Sequence, residues 1–274
     1  MISGEQFQLL TEISLCSKMD CFKRDQLKNI DQNIKLMQEV DQDQIHKYKK
    51  IFIYSDFIKD FFNKFQHSLA KDTILISHNS DHGVTKEHLD FINNPNIKKW
   101  FCQNRFIQHD KLFSLPIGIA NSQWPHGDQT LIKKVKDKNN VKANLVFKNF
   151  DIDTQSYIRT ACNNITNNNN ILMSRSASQE KYWNNISESM FVISPPGNGV
   201  DCHRIWECLY LRAVPIVKYH EAFSQFTHLP ILFIDDWRQV TVEFLRSKIP
   251  EYATVDFDSV PELTLTFWEN KINK

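Results

Sequence analysis

The chain has 274 residues, enough for one large domain or two modest ones. Its 41% hydrophobic content, with 20 Phe and 6 Trp, supports a real core and argues against disorder. Lys and Arg number 33 against 32 Asp and Glu, so the net charge of +1 gives no electrostatic reason to expect nucleic acid or an acidic membrane as partner.

The N-terminus, MISGEQFQLLTEISLCSKMD, carries acids and lacks a basic region ahead of an apolar core, so it does not read as a secretory signal. No apolar run approaches the ~20 residues that a bilayer span requires. The six cysteines are scattered without a CxxC pair, which leaves zinc-type spacing absent and points to reduced, structural thiols. The sequons at Asn164 and Asn185 are then expected to go unused, in a soluble, cytoplasmic protein.

Residues 1–47 read as polar and helical, with short apolar faces in LLTEI and IKLMQEV. KKIFIYSD then predicts a buried strand and FIKDFFNKFQHSL an amphipathic helix. DTILISHNSD is a second strand, EHLDFINN a short helix, IKKWFCQN a third strand and KLFSLPIGIAN a fourth. TLIKKVKDKNNVKAN is polar, basic and without apolar periodicity after Val135, which makes it the best linker.

The pattern then restarts. NLVFKNF, ILMS, FVISPPG, AVPIVKY and ILFIDD read as strands, and TQSYIRTACNNI, SQEKYWNNISESM and DCHRIWECLYLR as helices. The tail from Val240 looks helical, with breaks near Pro250 and Pro261. Two consecutive strand–helix blocks predict an α/β fold with two Rossmann-like parallel-sheet domains facing a cleft, where open α/β sheets bind ligands. The expected boundaries are an N-terminal domain over 1–140, including the segment 1–47, a second domain over 141–245, and a tail over 246–274 packing back on the first domain.

SPPGNGVDCHRIWECLYLRAVPIV, residues 194–217, is the most informative stretch. Its prolines stop a strand, and Gly197 and Gly199 let backbone approach a ligand closely. Asp201 is placed to cap the following helix. His203 and Glu207 are four apart and Arg204 and Glu207 three apart, so each pair shares a face. A helix N-terminus favours a nearby anion by ~0.3–1 kcal/mol. Arg204 and His203 would add charge and donors for a diphosphate, with Glu207 one turn deeper for ribose hydroxyls. The competing reading is a capped surface helix with an internal Arg–Glu pair. There is no G-x-G-x-x-G and no Walker lysine, so neither a dinucleotide fold nor a P-loop ATPase is supported.

This stretch, with the upstream EKYWNNISESMFVISPPG, resembles the exostosin-type signature of family 47 glycosyltransferases and related enzymes of large DNA viruses, of the chlorovirus xylosyltransferase type. The match covers Ser174 to roughly Tyr219. Arg212 and Ala213 stand where such enzymes usually carry a small Gly-type residue. The resemblance implies a GT-B architecture and a nucleoside diphosphate sugar, most simply a UDP-sugar, in the second domain. No metal and no further cofactor is expected, because no D-x-D-type dyad sits at a strand end in a metal-binding context; DID at 151–153, read as a helix cap, and DD at 235–236 are the nearest. On this sequence Arg204 and His203 would contact diphosphate and Glu207 ribose, with Ser194, Pro195, Gly197, Asn198, Gly199 and Asp201 bordering the donor. Arg175 and Lys148, near strand ends of the same block, are further phosphate candidates.

Inverting transfer needs a general base on the acceptor hydroxyl. LISHNSDHG offers one: Asp81 is the first choice, with His78 or His82 as alternatives and Asp56 as a rival. Asn121, Trp124 and His126, in LPIGIANSQWPHGD, would shape the acceptor pocket, since aromatic faces pack well on sugar rings. The expected activity is transfer of a sugar, first guess xylose, to a glycan or glycoprotein hydroxyl, in a host cytoplasm if the protein is viral. The alternatives are a nucleotide- or carbohydrate-binding module without catalysis, and another α/β enzyme of phosphorylated substrates.

Overall fold

A computed structural model describes residues 1–17 and 34–274. The described residues form the expected class, α/β with two Rossmann-like parallel sheets. One compact unit comprises residues 2–127 and 264–274; the other comprises 128–263 with Met1.

In the first unit β1 (Ile13–Cys16), β2 (Ile34–Leu36), β3 (Lys50–Tyr54), β4 (Thr73–His78), β5 (Ile97–Cys102) and β6 (Leu112–Ser114) pair in the order β2-β1-β3-β4-β5-β6, all parallel. The order reverses between β1 and β3, which is the topological switch point of a doubly wound sheet. β3 and β4 read as continuous apolar runs because both faces of a parallel sheet are covered. α1 (Gly4–Leu9) precedes the sheet, and α2 (Ile58–Phe65) sets Phe61, Phe62 and Phe65 on one buried face. Phe62 stacks on Phe91 of α3 (Leu89–Ile92) with ring centroids 4.4 Å apart and tilts against the fully buried Trp100. The C-terminal helix Leu265–Asn273 belongs to this unit and brings Trp268 edge-on to Phe7 at 6.0 Å.

Residues 1–47 are not the helical segment expected. α1 ends at Leu9, Ile13–Cys16 is a fully buried strand, and Ile34–Leu36 is a second strand. Four apolar or small residues that vanish inside a sheet leave no helical periodicity to read. The part of that expectation on 18–33 lies outside the described residues.

In the second unit β7 (Asn144–Phe147), β8 (Ser189–Ile193), β9 (Val214–Lys218) and β10 (Leu232–Ile234) form a parallel sheet in the order β10-β9-β8-β7. The connecting helices are α4 (Gln129–Asp137), ahead of β7, then α5 (Ser156–Asn168), α6 (Gln179–Ser187) and α7 (His203–Tyr210); α8 (Val242–Tyr252) follows β10. Three expectations need correcting here. The presumed linker holds a helix: Asp128 caps it by accepting from the Thr130 and Leu131 amides, and Ile132 and Val135, three apart, are buried. ILMS is not a strand; residues 171–176 have no regular structure, although the Ser174 amide donates to the Lys148 carbonyl. Pro250 sits inside α8 rather than ending it, within the last turn, where it removes the one amide that would donate to the Arg246 carbonyl.

The end of α7 explains the departure at Arg212. Ala213 N–H donates to the Cys208 carbonyl at 2.8 Å and Arg212 N–H to Leu209 at 3.2 Å, the two bonds of a Schellman motif. That motif puts its C′ residue in the left-handed region, and Arg212 has φ +58. A side chain there costs roughly 1–2 kcal/mol relative to glycine. The arginine is compensated by Asp258, whose Oδ2 accepts from Nη2 at 2.7 Å, and by Asn139, whose Oδ1 accepts from Nη1 at 3.1 Å.

Candidate functional site

β8 runs into the turn Ser194–Gly199 at the carboxyl edge of its sheet. The Ser194 amide donates to the Ile216 carbonyl and its hydroxyl to the Val192 carbonyl, so this buried side chain closes the strand end rather than bordering a ligand as expected. Pro195 and Gly199 are buried, Pro196 and Gly197 half-buried, and Asn198 is exposed. The turn is held from α5: Arg159 donates from Nε to the Pro196 carbonyl at 2.8 Å and from Nη1 to the Asp151 carbonyl at 2.6 Å. A Cβ on Gly197 would stand 3.3 Å from Arg159 Nη2, so glycine lets the guanidinium close on the turn.

Arg204, in the first turn of α7, is half-buried and donates from Nε to the Tyr182 hydroxyl at 3.0 Å. Its Nη1 is buried and has no hydrogen-bond partner. Arg159 and Arg204 each place their guanidinium carbon 5.9 Å from the centre of the Phe150 ring. Neither makes an ion pair with a carboxylate among the described residues. Burial first, and then the charge of Arg204, lowers the Arg159 pKa from its usual value. Two like charges beside one aromatic ring, one with an orphaned N–H, form an arrangement that an anion completes.

Arg159 was not singled out from the sequence. Its signal is the spacing in TQSYIRTACNNI: Arg159, Cys162 and Thr166 form the buried face of α5, so an arginine occupies an inward position.

Glu207 is almost fully buried, and its Oε2 accepts from the Tyr182 hydroxyl at 3.4 Å. Burial raises its pKa above the usual carboxylate value, against the pull of Trp183, Arg204 and Tyr182. The expected ribose contact is therefore corrected: Glu207 orders the Arg204–Tyr182 pair from within. Asp201 is also reassigned. Cys202, not Asp201, occupies the N-cap of α7, without a side-chain cap. The buried Asp201 carboxylate instead accepts from Trp206 Nε1 at 2.8 and 3.1 Å. His203 is half-buried at the first position of the helix.

Lys148 is 1% exposed and donates to Thr166 Oγ1 at 2.9 Å, Asn167 Oδ1 at 2.7 Å and the Asn163 carbonyl at 3.4 Å. All three donors serve α5, which leaves none for a phosphate. Arg175 is exposed on the irregular segment that replaces the expected strand.

In the first unit the candidates separate into interior and surface. His78 is 1% exposed; its Nε2 lies 3.0 Å from the Pro116 carbonyl and its Nδ1 3.0 Å from Asn79 Oδ1. Asn121 is buried too: its Oδ1 accepts from the Glu5 amide and its Nδ2 donates to Asn79 Oδ1 at 3.3 Å. Both residues brace the loop beyond β4 and are not open to an acceptor, which corrects their expected roles. Asp81 and His82 are exposed, and Trp124 and His126 stack on the surface with centroids 6.1 Å apart.

Burial holds the His78 ring below the usual histidine pKa, outweighing its contacts to Pro116 and Asn79. The unfolded chain takes up this proton near pH 6.5 and the folded ring resists it, so stability is intact above that pH and is lost as pH falls. The acid limb of a thermal-denaturation profile should flatten in His78→Gln, by up to about 1.4 kcal/mol per pH unit for one group. An unchanged limb would assign the acid sensitivity elsewhere.

The cysteines Cys16, Cys102, Cys162, Cys202 and Cys208 form no disulfide. Among the described residues no helix is long and apolar enough to cross a membrane. No family model matches the chain, and no curated protein matches it. Among solved structures it is similar to the crystal structure of an alpha1,3-fucosyltransferase, with 8% identity and a TM-score of 0.47 over 96% of this chain and 90% of that one.

Proposed function

We propose that the chain is a glycosyltransferase of the GT-B type that binds the diphosphate of a nucleotide sugar at the Arg159–Arg204 corner. The observation that carries this reading is the buried, unpartnered Nη1 of Arg204 beside a second guanidinium on the same ring, at the carboxyl edge of a parallel sheet. A diphosphate supplies acceptors for both cations, and the uncapped first turn of α7 adds amides with the same polarity. Pro195, Gly197, Asn198 and Gly199 line the approach, with His203 beside it, and Arg175 is the outlying cation of this unit. The exostosin-type resemblance of residues 174–219 favours a UDP-sugar, xylose before others, and an inverting transfer without a metal ion. The acceptor is a glycan or glycoprotein hydroxyl, for which the exposed Trp124–His126 stack offers an aromatic platform. The base comes from the loop carrying Asp81 and His82. The near-neutral charge favours neither nucleic acid nor an acidic membrane as partner.

The test is a thermal-shift panel of UDP, GDP, CMP and their sugars, with and without EDTA. A nucleoside diphosphate at 100 times its Kd should stabilise the protein by about 2.7 kcal/mol, EDTA notwithstanding. No stabilisation by any nucleotide would refute the reading. Stabilisation without any turnover of a nucleotide sugar would favour the binding module.

A further inference from the structure

The carboxyl edge of the second sheet continues past the cationic corner. In the order β10-β9-β8-β7 the corner stands at the ends of β7 and β8, and the ends of β9 and β10 come next. All four strands belong to one compact unit. Ile193 pairs with Ile216, so Pro196 of the donor turn and Tyr219 each stand three residues beyond a matched pair. Ile234 pairs with Lys218, so Asp235 and Tyr219 each stand one residue beyond another. The Tyr219 amide donates to the Ile234 carbonyl at 2.8 Å, which extends that pairing into the loop. Neighbouring strands lie about 4.8 Å apart, which puts Tyr219 one strand from the donor turn and Asp235 two.

Tyr219 is 44% exposed, although Val214 to Val217 just before it are buried. Phe233 meets its ring edge to face at 5.8 Å and is backed by Phe223, also at 5.8 Å, so the phenol is held from one side. The two neighbouring aspartates have different tasks. Gln239 Oε1 accepts from both of their amides, at 2.8 and 2.9 Å, and fixes the loop. The Asp236 carboxylate is engaged by Arg238, accepting from Nε at 2.8 Å and from Nη2 at 3.0 Å. The Asp235 carboxylate is exposed, and neither it nor the Tyr219 hydroxyl has a hydrogen-bond or ion-pair partner among the described residues.

We propose that Tyr219 and Asp235 form the subsite for the sugar ring of the donor, and that this sugar is neutral. The proposal rests on the donor reading above. Along one sheet edge the lining changes from two guanidiniums to a phenol and a free carboxylate. A carboxylate repels a diphosphate, so the β9–β10 end is no extension of the phosphate site. A sugar ring matches it: its C–H face packs on the aromatic ring, and its hydroxyls donate to the carboxylate. Exposure favours the sugar over the nucleobase. The transferred ring has to stay within reach of an acceptor, whereas a ring that is only bound gains most from enclosure. The carboxylate also sets the class of sugar, since an acidic ring would place like charges together.

The experiment is calorimetry of the full chain with UDP, UDP-xylose, UDP-glucose and UDP-glucuronic acid. Asp235→Asn should weaken binding of the neutral UDP-sugars by about 10-fold, and Tyr219→Ala by about 3- to 10-fold, with UDP itself within about twofold in both. Tyr219→Phe keeps the ring and should match the wild type within about twofold. Asp235→Asn should also narrow the preference for neutral sugars over UDP-glucuronic acid, which a loss of loop structure would not do. Both side chains lie on the surface, so melting temperatures should not move. Equal losses for UDP and its sugars would assign Tyr219 and Asp235 to the nucleoside and overturn the proposal, as would no loss for either. A wild type that binds UDP but none of the sugars overturns the subsite and leaves the corner standing. A wild type that binds no nucleotide overturns the donor reading and the subsite with it.

Discussion

Arg204→Met should weaken UDP binding by about 10- to 100-fold in a protein that still folds. A hydrogen bond to a charged group contributes about 1.5–3 kcal/mol, and 1.4 kcal/mol is tenfold in affinity. Methionine keeps an apolar stem against Phe150 but removes the buried Nη1, which has no partner, and the charge that weighs on Arg159. Methionine also gives up the hydrogen bond to Tyr182 and the cation beside the buried Glu207, so some stability is lost with the affinity. Loss of UDP affinity in a variant that still folds separates a ligand-binding arginine from a structural one. A fall in melting temperature with unchanged UDP affinity would make Arg204 a structural tie to Tyr182 and no more.

Asp201→Ala carries the largest expected stability loss, about 2–3 kcal/mol, because it strands the Trp206 indole N–H in a fully buried position. For a chain of this size that corresponds to a drop of roughly 4–12 °C in melting temperature. Asp201→Asn keeps one acceptor for the indole and should lose less. Nucleotide affinity should change little in the asparagine variant. If Asp201→Ala instead melted normally and lost UDP, the carboxylate would belong to the ligand site, where the sequence first placed it.

The strand–helix alternation was legible because β3, β4, β8 and β9 bury both faces and so read as unbroken apolar runs. What escaped was short or masked by polarity. Ile13–Cys16 is four residues long and reads as part of a helix until its neighbours in the sheet are known. Helix 129–137 buries only Ile132 and Val135, so its one clear signal was the cap at Asp128. At the site, the turn and the cation of α7 were readable from residue type and spacing, but hydrogen-bond direction was not. Lys148, Glu207 and Asp201 each point a charged group inward to Thr166, Tyr182 and Trp206, partners that only tertiary packing supplies. Arg159 was overlooked for the same reason, since an arginine in a polar helix is ordinarily a solvated one.

The crystal structure of the protein grown with UDP in the presence of EDTA is the most direct measurement. It should show a phosphate oxygen within roughly 2.7–3.2 Å of Arg204 Nη1, with Arg159 close by and no cation between the phosphates. UDP bound elsewhere, with only water on Nη1, would contradict the account.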